Sequence, residues 1–239
     1  LNHCRDNEPT AEELMELHVE AMFTHDPNGR IRAIHEPWPG EDPAPRFFLG
    51  RTIDGTALCR FRHDVPDNLA LLLKELVEDE PIMRDFQAKP KHFGSYMKLL
   101  QSGHHTTGPC YCIPVQTTST IQVVRITREH MSDHSLAGFE WLASEIDYVQ
   151  PCVALVHDRR IVSVCRSVRV TAKAHEAGLE TLGEFRGRGY AAAVVAGWAM
   201  AVREMGALPL YSTSWENLSS QRVAGKLGLS LYGVNFTIK

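Results

Sequence analysis

Hydrophobic positions along the chain alternate between helical and strand spacing. After Thr10, the residues Leu14, Leu17, Ala21 and Met22 recur at helical spacing, and Thr10-x-x-Glu13 forms a capping box ahead of them. This pattern predicts an amphipathic helix ending near His25, before Pro27-Asn28-Gly29. Residues 36–46 are proline-rich and read as loop. Arg46–Thr52 and Thr56–Arg62 read as short strands around Asp54-Gly55, a hairpin signal. Leu69, Leu72, Leu73, Leu76 and Val77 share one face across Pro66–Glu80, which predicts a helix, and another is expected over Lys91–Gln101. Ser102–Pro109 is rich in Gly, His and Thr and reads as a polar loop, with lining a substrate pocket as the alternative.

The pattern changes after about residue 118. Thr120–Thr127 is β-rich, and a helical stretch is expected within Arg128–Tyr148. Cys152–His157 and Ile161–Val170 read as strands joined by a polar turn, and Ala174–Leu182 as a third. A long helix is predicted from about Gly187 to Met205, then a strand over Leu208–Ser214, a helix over Leu218–Leu227 and a strand over Ser230–Ile238. This last strand reads as an exposed edge able to pair with a second subunit. The order is that of an α/β domain with a mixed sheet. The expected division is an N-terminal α/β domain, residues 1–118, and a second domain, residues 119–239.

Composition narrows the functional classes. The chain has 239 residues, 44% of them hydrophobic and 23% charged, which is ordinary globular usage. The net charge of −4 argues against a broad basic surface for nucleic acid. No apolar run is long enough to span a bilayer, and the charged, polar N-terminus lacks a signal-peptide pattern, so no membrane association is expected. The sequence begins at Leu1, so a start Met and further residues are expected ahead of it. Cys4, Cys59, Cys110, Cys112, Cys152 and Cys165 are scattered in a chain large enough to fold without disulfides, which suggests a reducing, cytoplasmic setting. His104-His105 and Cys110-Tyr-Cys112 do not have zinc-ligand spacing, so no metal is expected.

The chemistry concentrates at Arg186-Gly187-Arg188-Gly189-Tyr190-Ala191, between a predicted strand and the long helix. Two glycines allow a sharp turn and a close backbone approach. The helix start offers unpaired N–H groups and the positive end of the dipole, an anion site to which Arg186 and Arg188 add charge. The spacing is not that of a Walker loop, and Ala192 stands where a dinucleotide fingerprint needs its third glycine.

Arg186-x-x-Gly189-x-Ala191 after a strand resembles the [Q/R]-x-x-G-x-[G/A] signature of the GNAT superfamily of acyl-CoA-dependent N-acyltransferases. Tyr211-Ser-Thr-Ser-Trp-Glu-Asn217, followed by Ser220, Ala224 and Leu227-Gly228-Leu229, is similar to the family's last strand and helix. The resemblance covers roughly residues 120–239, and the glycine N-acyltransferase-like branch, with its extra N-terminal half, is the nearest in pattern. It implies a mixed, largely antiparallel central sheet flanked by helices. Residues 1–118 would then be an additional α/β domain that shapes the acceptor site, with a degenerate copy of the same fold as the alternative origin.

The resemblance also implies a chemistry. Acetyl-CoA would be the acyl donor, held by Arg186, Gly187, Arg188, Gly189, Tyr190, Ala191 and Ala192 at its pyrophosphate and by the strand residues Leu179, Thr181 and Leu182 along its pantetheine arm. Asn217 would point at the pantetheine amides or cap the last helix, and Ser214 and Ser220 would contact the cofactor or serve turn chemistry. A small-molecule amine would attack the thioester directly, with Glu176 the favoured general base and His175 and Glu180 the other candidates. Strand alternation lets only one of His175 and Glu176 face the cleft. Ala224 stands where many family members place a general-acid Tyr. That departure keeps open a non-catalytic acyl-CoA-binding or sensing module. The oligomeric state is open between monomer and homodimer.

Overall fold

The computed structural model describes residues 8–239; Cys4 lies outside them. Helix α1 (Ala11–Met22) starts with the expected capping box: the Glu13 N–H donates to Thr10 Oγ1, and the Thr10 N–H donates to Glu13 Oε2 at 2.8 Å. It runs into β1 (Phe23–His25), which pairs with β2 (Ile31–Ile34) as a small separate ribbon. The hairpin of β3 (Phe47–Thr52) and β4 (Ala57–Phe61) turns at Gly55, whose φ of 93° suits glycine. Helices α2 (Asp67–Glu78) and α3 (Phe93–Leu99) follow, then β5 (His105–Cys112). The expected loop over Ser102–Pro109 is therefore largely strand. Its residues have little β signal of their own, and neighbouring strands on both sides supply the pairing.

The second half contributes β6 (Val124–Arg125), the short α4 (Leu142–Glu145), β7 (Cys152–His157), β8 (Arg160–Val170) and β9 (Ala174–Thr181). It ends with α5 (Tyr190–Glu204), β10 (Leu208–Ser212), α6 (Leu218–Leu227) and β11 (Ser230–Ile238). Nine strands form one sheet in the order β4-β3-β11-β5-β10-β9-β8-β7-β6. All neighbouring pairs are antiparallel except β9 with β10. This is the mixed, largely antiparallel α/β architecture expected.

The expected boundary near residue 118 falls between β5 and β6, and strands from either side of it interleave. β5 lies between β10 and β11, and β3 lies on the far side of β11. So β11 is an inner strand rather than the exposed edge its sequence suggested, because the first half of the chain supplies both its neighbours.

Helices cover both faces. One face packs Val153, Val162 and Cys165 against Val194, Val195, Trp198 and Val202 of α5. On the same face, further along the sheet, Phe47, Leu49 and Phe236 meet α2 and α3 through Leu73, Val77 and Tyr96. The opposite face packs Phe48, Cys110, Ala174 and Leu210 against Leu14, Met15 and Val19 of α1, and Val164 against the α4 region. Trp198 and Phe47 are fully buried, and such side chains each contribute roughly 2–3 kcal/mol by leaving water.

Candidate active site

Strands β9 and β10 run parallel but stay together only briefly. Their register ends at Leu210↔Glu176. Beyond that point β10 keeps company with β5: Tyr211 and Ser212 pair with Tyr111 and Cys110, and the chain continues with the Thr213 N–H donating to Pro109 O and the Trp215 N–H to Thr107 O. The approach is possible because Gly108 lacks a side chain; a Cβ there would sit 1.7 Å from the Thr213 carbonyl oxygen. The edge of β9 from Ala177 onward is thereby left without a β10 partner, and a cleft opens between the two strands.

That cleft has a volume of about 710 Å³. Leu179, Glu180 and Thr181 of β9 form one wall, and Asn217, Ser219, Ser220, Arg222, Val223 and Lys226 of α6 form the other. Its end is closed by Phe185, Arg186, Gly187, Gly189, Tyr190, Ala191 and Ala192. Gly187 and Gly189 have φ of 79° and 85°, the left-handed region that side chains disfavour. Gly189 is the N-cap of α5 and has no side-chain cap bond, so the first N–H groups of the helix remain available to a ligand. A Cβ on Gly189 would come within 3.2 Å of Lys226 Nζ.

The other predicted contacts divide. Arg186 lines the cleft while its Nε donates to Thr181 O at 3.3 Å. Arg188 lies over the Phe185 ring and donates to Glu184 O, outside the lining. Leu182 packs with the α4 cluster, and its N–H donates to Val162 O. Asn217 caps α6, its Oδ1 accepting from the Ser220 N–H at 3.1 Å, and it lines the cleft. Ser220 Oγ is 2.6 Å from the Tyr211 hydroxyl, whose pKa burial pushes up to about 12. The Ser214 carbonyl accepts from Asn217 N–H and Gln221 Nε2 as part of the turn into α6. Ala224 is buried against Tyr211.

Three of the cleft's cationic or polar residues on α6 were not anticipated. Ser219, Arg222 and Lys226 recur at i, i+3 and i+7, so one face of α6 is turned to the cleft; that spacing was readable.

The three catalytic candidates separate by face. His175 points to the α5 side, 2.9 Å from Ser167 Oγ, which also accepts from Trp198 Nε1; burial lowers its pKa and keeps it neutral. Glu180 is exposed at the cleft. Glu176 points to the α1 side and is only 2% exposed. The bulge in this pair lies on β8, between Ser167 and Arg169, so β9 alternates regularly and Glu176 and Glu180 share a face. Val168, the bulged residue, occupies the space over Gly178 that a Cβ would need.

Glu176 is the centre of a buried polar cluster that the sequence did not announce. Its Oε1 lies 2.5 Å from Nδ1 of His18 on α1, and its Oε2 accepts from Ser212 Oγ at 3.0 Å. His18 Nε2 faces the Asn235 amide at 3.2 Å and Cys110 Sγ at 3.9 Å. Burial opposes a charge on His18, but Cys110 and Glu176 outweigh it and raise its pKa to about 10. The Tyr232 hydroxyl, buried near Cys110 and Glu176, has no hydrogen-bond partner. The one available signal was His18 itself, a titratable residue four positions after Leu14 on the apolar stripe of α1. Among the described residues no group of His, Cys, Asp or Glu is arranged to hold a metal ion, and no helix is long and apolar enough to cross a membrane.

A parallel strand pair thus parts into a cleft that ends on a glycine-shaped helix start. Residues 152–233 match the family model of the GNAT acetyltransferases. No curated protein matches the chain. Among solved structures, a GNAT-family acetyltransferase from Colwellia psychrerythraea is 16% identical over 80% of this chain and 81% of its own, with a TM-score of 0.48. A GCN5-related N-acetyltransferase-like protein from Streptococcus suis is 16% identical over 82% of this chain and 85% of its own, with a TM-score of 0.44. A GNAT-family protein from Novosphingobium aromaticivorans is also 16% identical, over 57% of this chain; this chain covers 65% of that protein, and the TM-score is 0.46.

Proposed function

We propose that the protein is an acetyl-CoA-dependent N-acetyltransferase acting on a small-molecule amine. The observation that carries this reading is the cleft between β9 and α6, beyond the point where β10 leaves β9, closed by Gly187, Gly189 and the uncapped start of α5. Its parts fit the donor. The free edge of β9 offers backbone N–H and C=O groups to the amides of a pantetheine arm, in the manner of an added strand. The helix start, Arg186, Arg222 and Lys226 offer donors and positive charge to a pyrophosphate. Local charge of this kind is compatible with the overall balance of −4.

Acetyl-CoA supplies an activated acyl group as a thioester. The protein's task is to orient it and to take a proton from the attacking amine, and Glu176, beside the point where the strands part, is the base in this reading. The first half of the chain, which packs α1 over that point, shapes the acceptor side. The five described cysteines are unpaired, which agrees with a reducing, cytoplasmic setting.

One observation favours a second reading, a non-catalytic acyl-CoA-binding module. Ala224 puts a methyl group where many family members have an acidic phenol. The two readings separate by experiment. Calorimetry is expected to show acetyl-CoA binding under both, while thiol release that depends on an added amine occurs only for the transferase. Absence of any CoA affinity at millimolar ligand defeats both.

A further inference from the structure

The buried cluster around Glu176 answers a problem that the proposed reaction raises. A carboxylate that is 2% exposed is sealed from an incoming amine. Yet one of the two groups it touches is less sealed: Ser212 is half-buried, two residues past the last β9–β10 pair, where the strands have separated. Its hydroxyl donates to Glu176 Oε2 at 3.0 Å. The other group, His18, is fully buried and comes from the first half of the chain.

We propose that Ser212 passes the proton of the acceptor amine to Glu176, and that His18 holds this carboxylate ionised and in place. The inference rests on the acetyltransferase reading. As the C–N bond forms and the C–S bond breaks, the amine proton moves to Ser212 Oγ, and the Ser212 hydroxyl proton moves to Glu176 Oε2. The serine ends neutral, the carboxylate carries the proton, and the electron pair of the C–S bond leaves on the CoA thiolate. Ser212 is thus a catalytic residue and His18 a positioning residue.

The surroundings suit these roles. His18 Nδ1 faces Glu176 Oε1 and its Nε2 lies 3.2 Å from Asn235 Nδ2; a cationic ring, which donates from both nitrogens, requires the Asn235 amide turned over so that its oxygen accepts. The Cys110 thiol and the Tyr232 hydroxyl are the other titratable groups facing the pair, from β5 and β11. Arg169, the register partner of Glu176 on β8, is committed to Glu36 through two hydrogen bonds, at 2.8 and 3.2 Å, so His18 is the cation left for Glu176.

The test combines kinetics with a measurement that needs no acceptor. Thiol release from acetyl-CoA is followed with glycine, lysine, tyramine and spermidine as amines. Ser212→Ala is expected to lower kcat about 100-fold, the scale of a lost proton-transfer group, with the KM for acetyl-CoA unchanged. Ser212→Thr, which keeps the hydroxyl, is expected to retain most of kcat. His18→Gln is expected to move the acidic limb of the kcat/KM profile to higher pH. In the ligand-free protein, nitrogen NMR is expected to show a His18 imidazolium that persists above pH 8 and is lost in Glu176→Gln. An active wild type whose Ser212→Ala variant keeps its kcat and pH profile overturns the relay and leaves the transferase reading standing. A His18 that titrates in the ordinary histidine range overturns the ion pair. A wild type that neither binds acetyl-CoA nor releases thiol removes the transferase reading and the relay with it.

Discussion

At Gly189 a single backbone angle shapes the end of the cleft proposed to take the pyrophosphate. Its φ of 85° turns the chain into α5 without a side-chain cap, and the space beside it is taken by Lys226 Nζ. Gly189→Ala adds a left-handed strain of roughly 1–2 kcal/mol and a methyl group at the site, so calorimetry is expected to show CoA binding at least tenfold weaker. An affinity within twofold of wild type rejects the assignment. His18 carries a pH dependence of a different kind. Its folded pKa of about 10 lies above the unfolded value, so the stabilisation is complete below about pH 6.5 and is lost as the pH rises through 10. In denaturant titrations the stability gap between wild type and His18→Gln is therefore expected to be widest near pH 6 and to narrow towards pH 10. Comparing the two proteins removes the buried thiols and phenols, which lose stability in the same direction as the pH rises. Glu176 was legible as a candidate because it lies on the strand ahead of the glycine loop. Its partners were not, since His18, Ser212 and Asn235 come from elements far apart in the sequence, and only the sheet brings them together.

Among the elements, β10 has two possible neighbours and leaves one of them for the other. Its continued bonding to β5 through Thr213 and Trp215 draws it away from β9, and Gly108 makes the approach possible. Gly108→Ala is expected to push the 213–215 segment back towards β9 and narrow the cleft. The measurable outcome is weaker CoA binding by tenfold or more, together with a lower melting temperature. A variant that binds CoA normally shows that β5 does not set the opening. The helices and most strands were readable, because α1, α2, α5 and α6 carry full helical periods, and α1 and α6 begin on side-chain caps as well. β5 was not, because a strand bonded on both edges does not need strong β-formers. Its partners, β10 and β11, are fixed by topology that no local pattern records.

Across the whole molecule, the two halves share one sheet, and the strands that hold the cleft open include one from each. A fragment of residues 119–239 lacks β5 between β10 and β11 and leaves both with unsatisfied edges, along with the α1-facing side of Ala174 and Leu210 bare. It is expected to be aggregated or largely unfolded by circular dichroism and proton NMR. A soluble fragment with dispersed spectra that still binds CoA refutes this. The motifs alone pointed to the second half. They could not show that strands of the first half lie in the same sheet, because a shared sheet leaves no trace in the spacing of either part. The place of β11 has a consequence for how the chain is made. This strand joins the β3–β4 hairpin to β5, yet every element it must meet is synthesised before it. The earlier strands wait at the ribosome with open edges, and the decisive pairings span most of the sequence. Folding of this kind is slow and open to aggregation, so a growing chain would depend on chaperones until its last strand emerges.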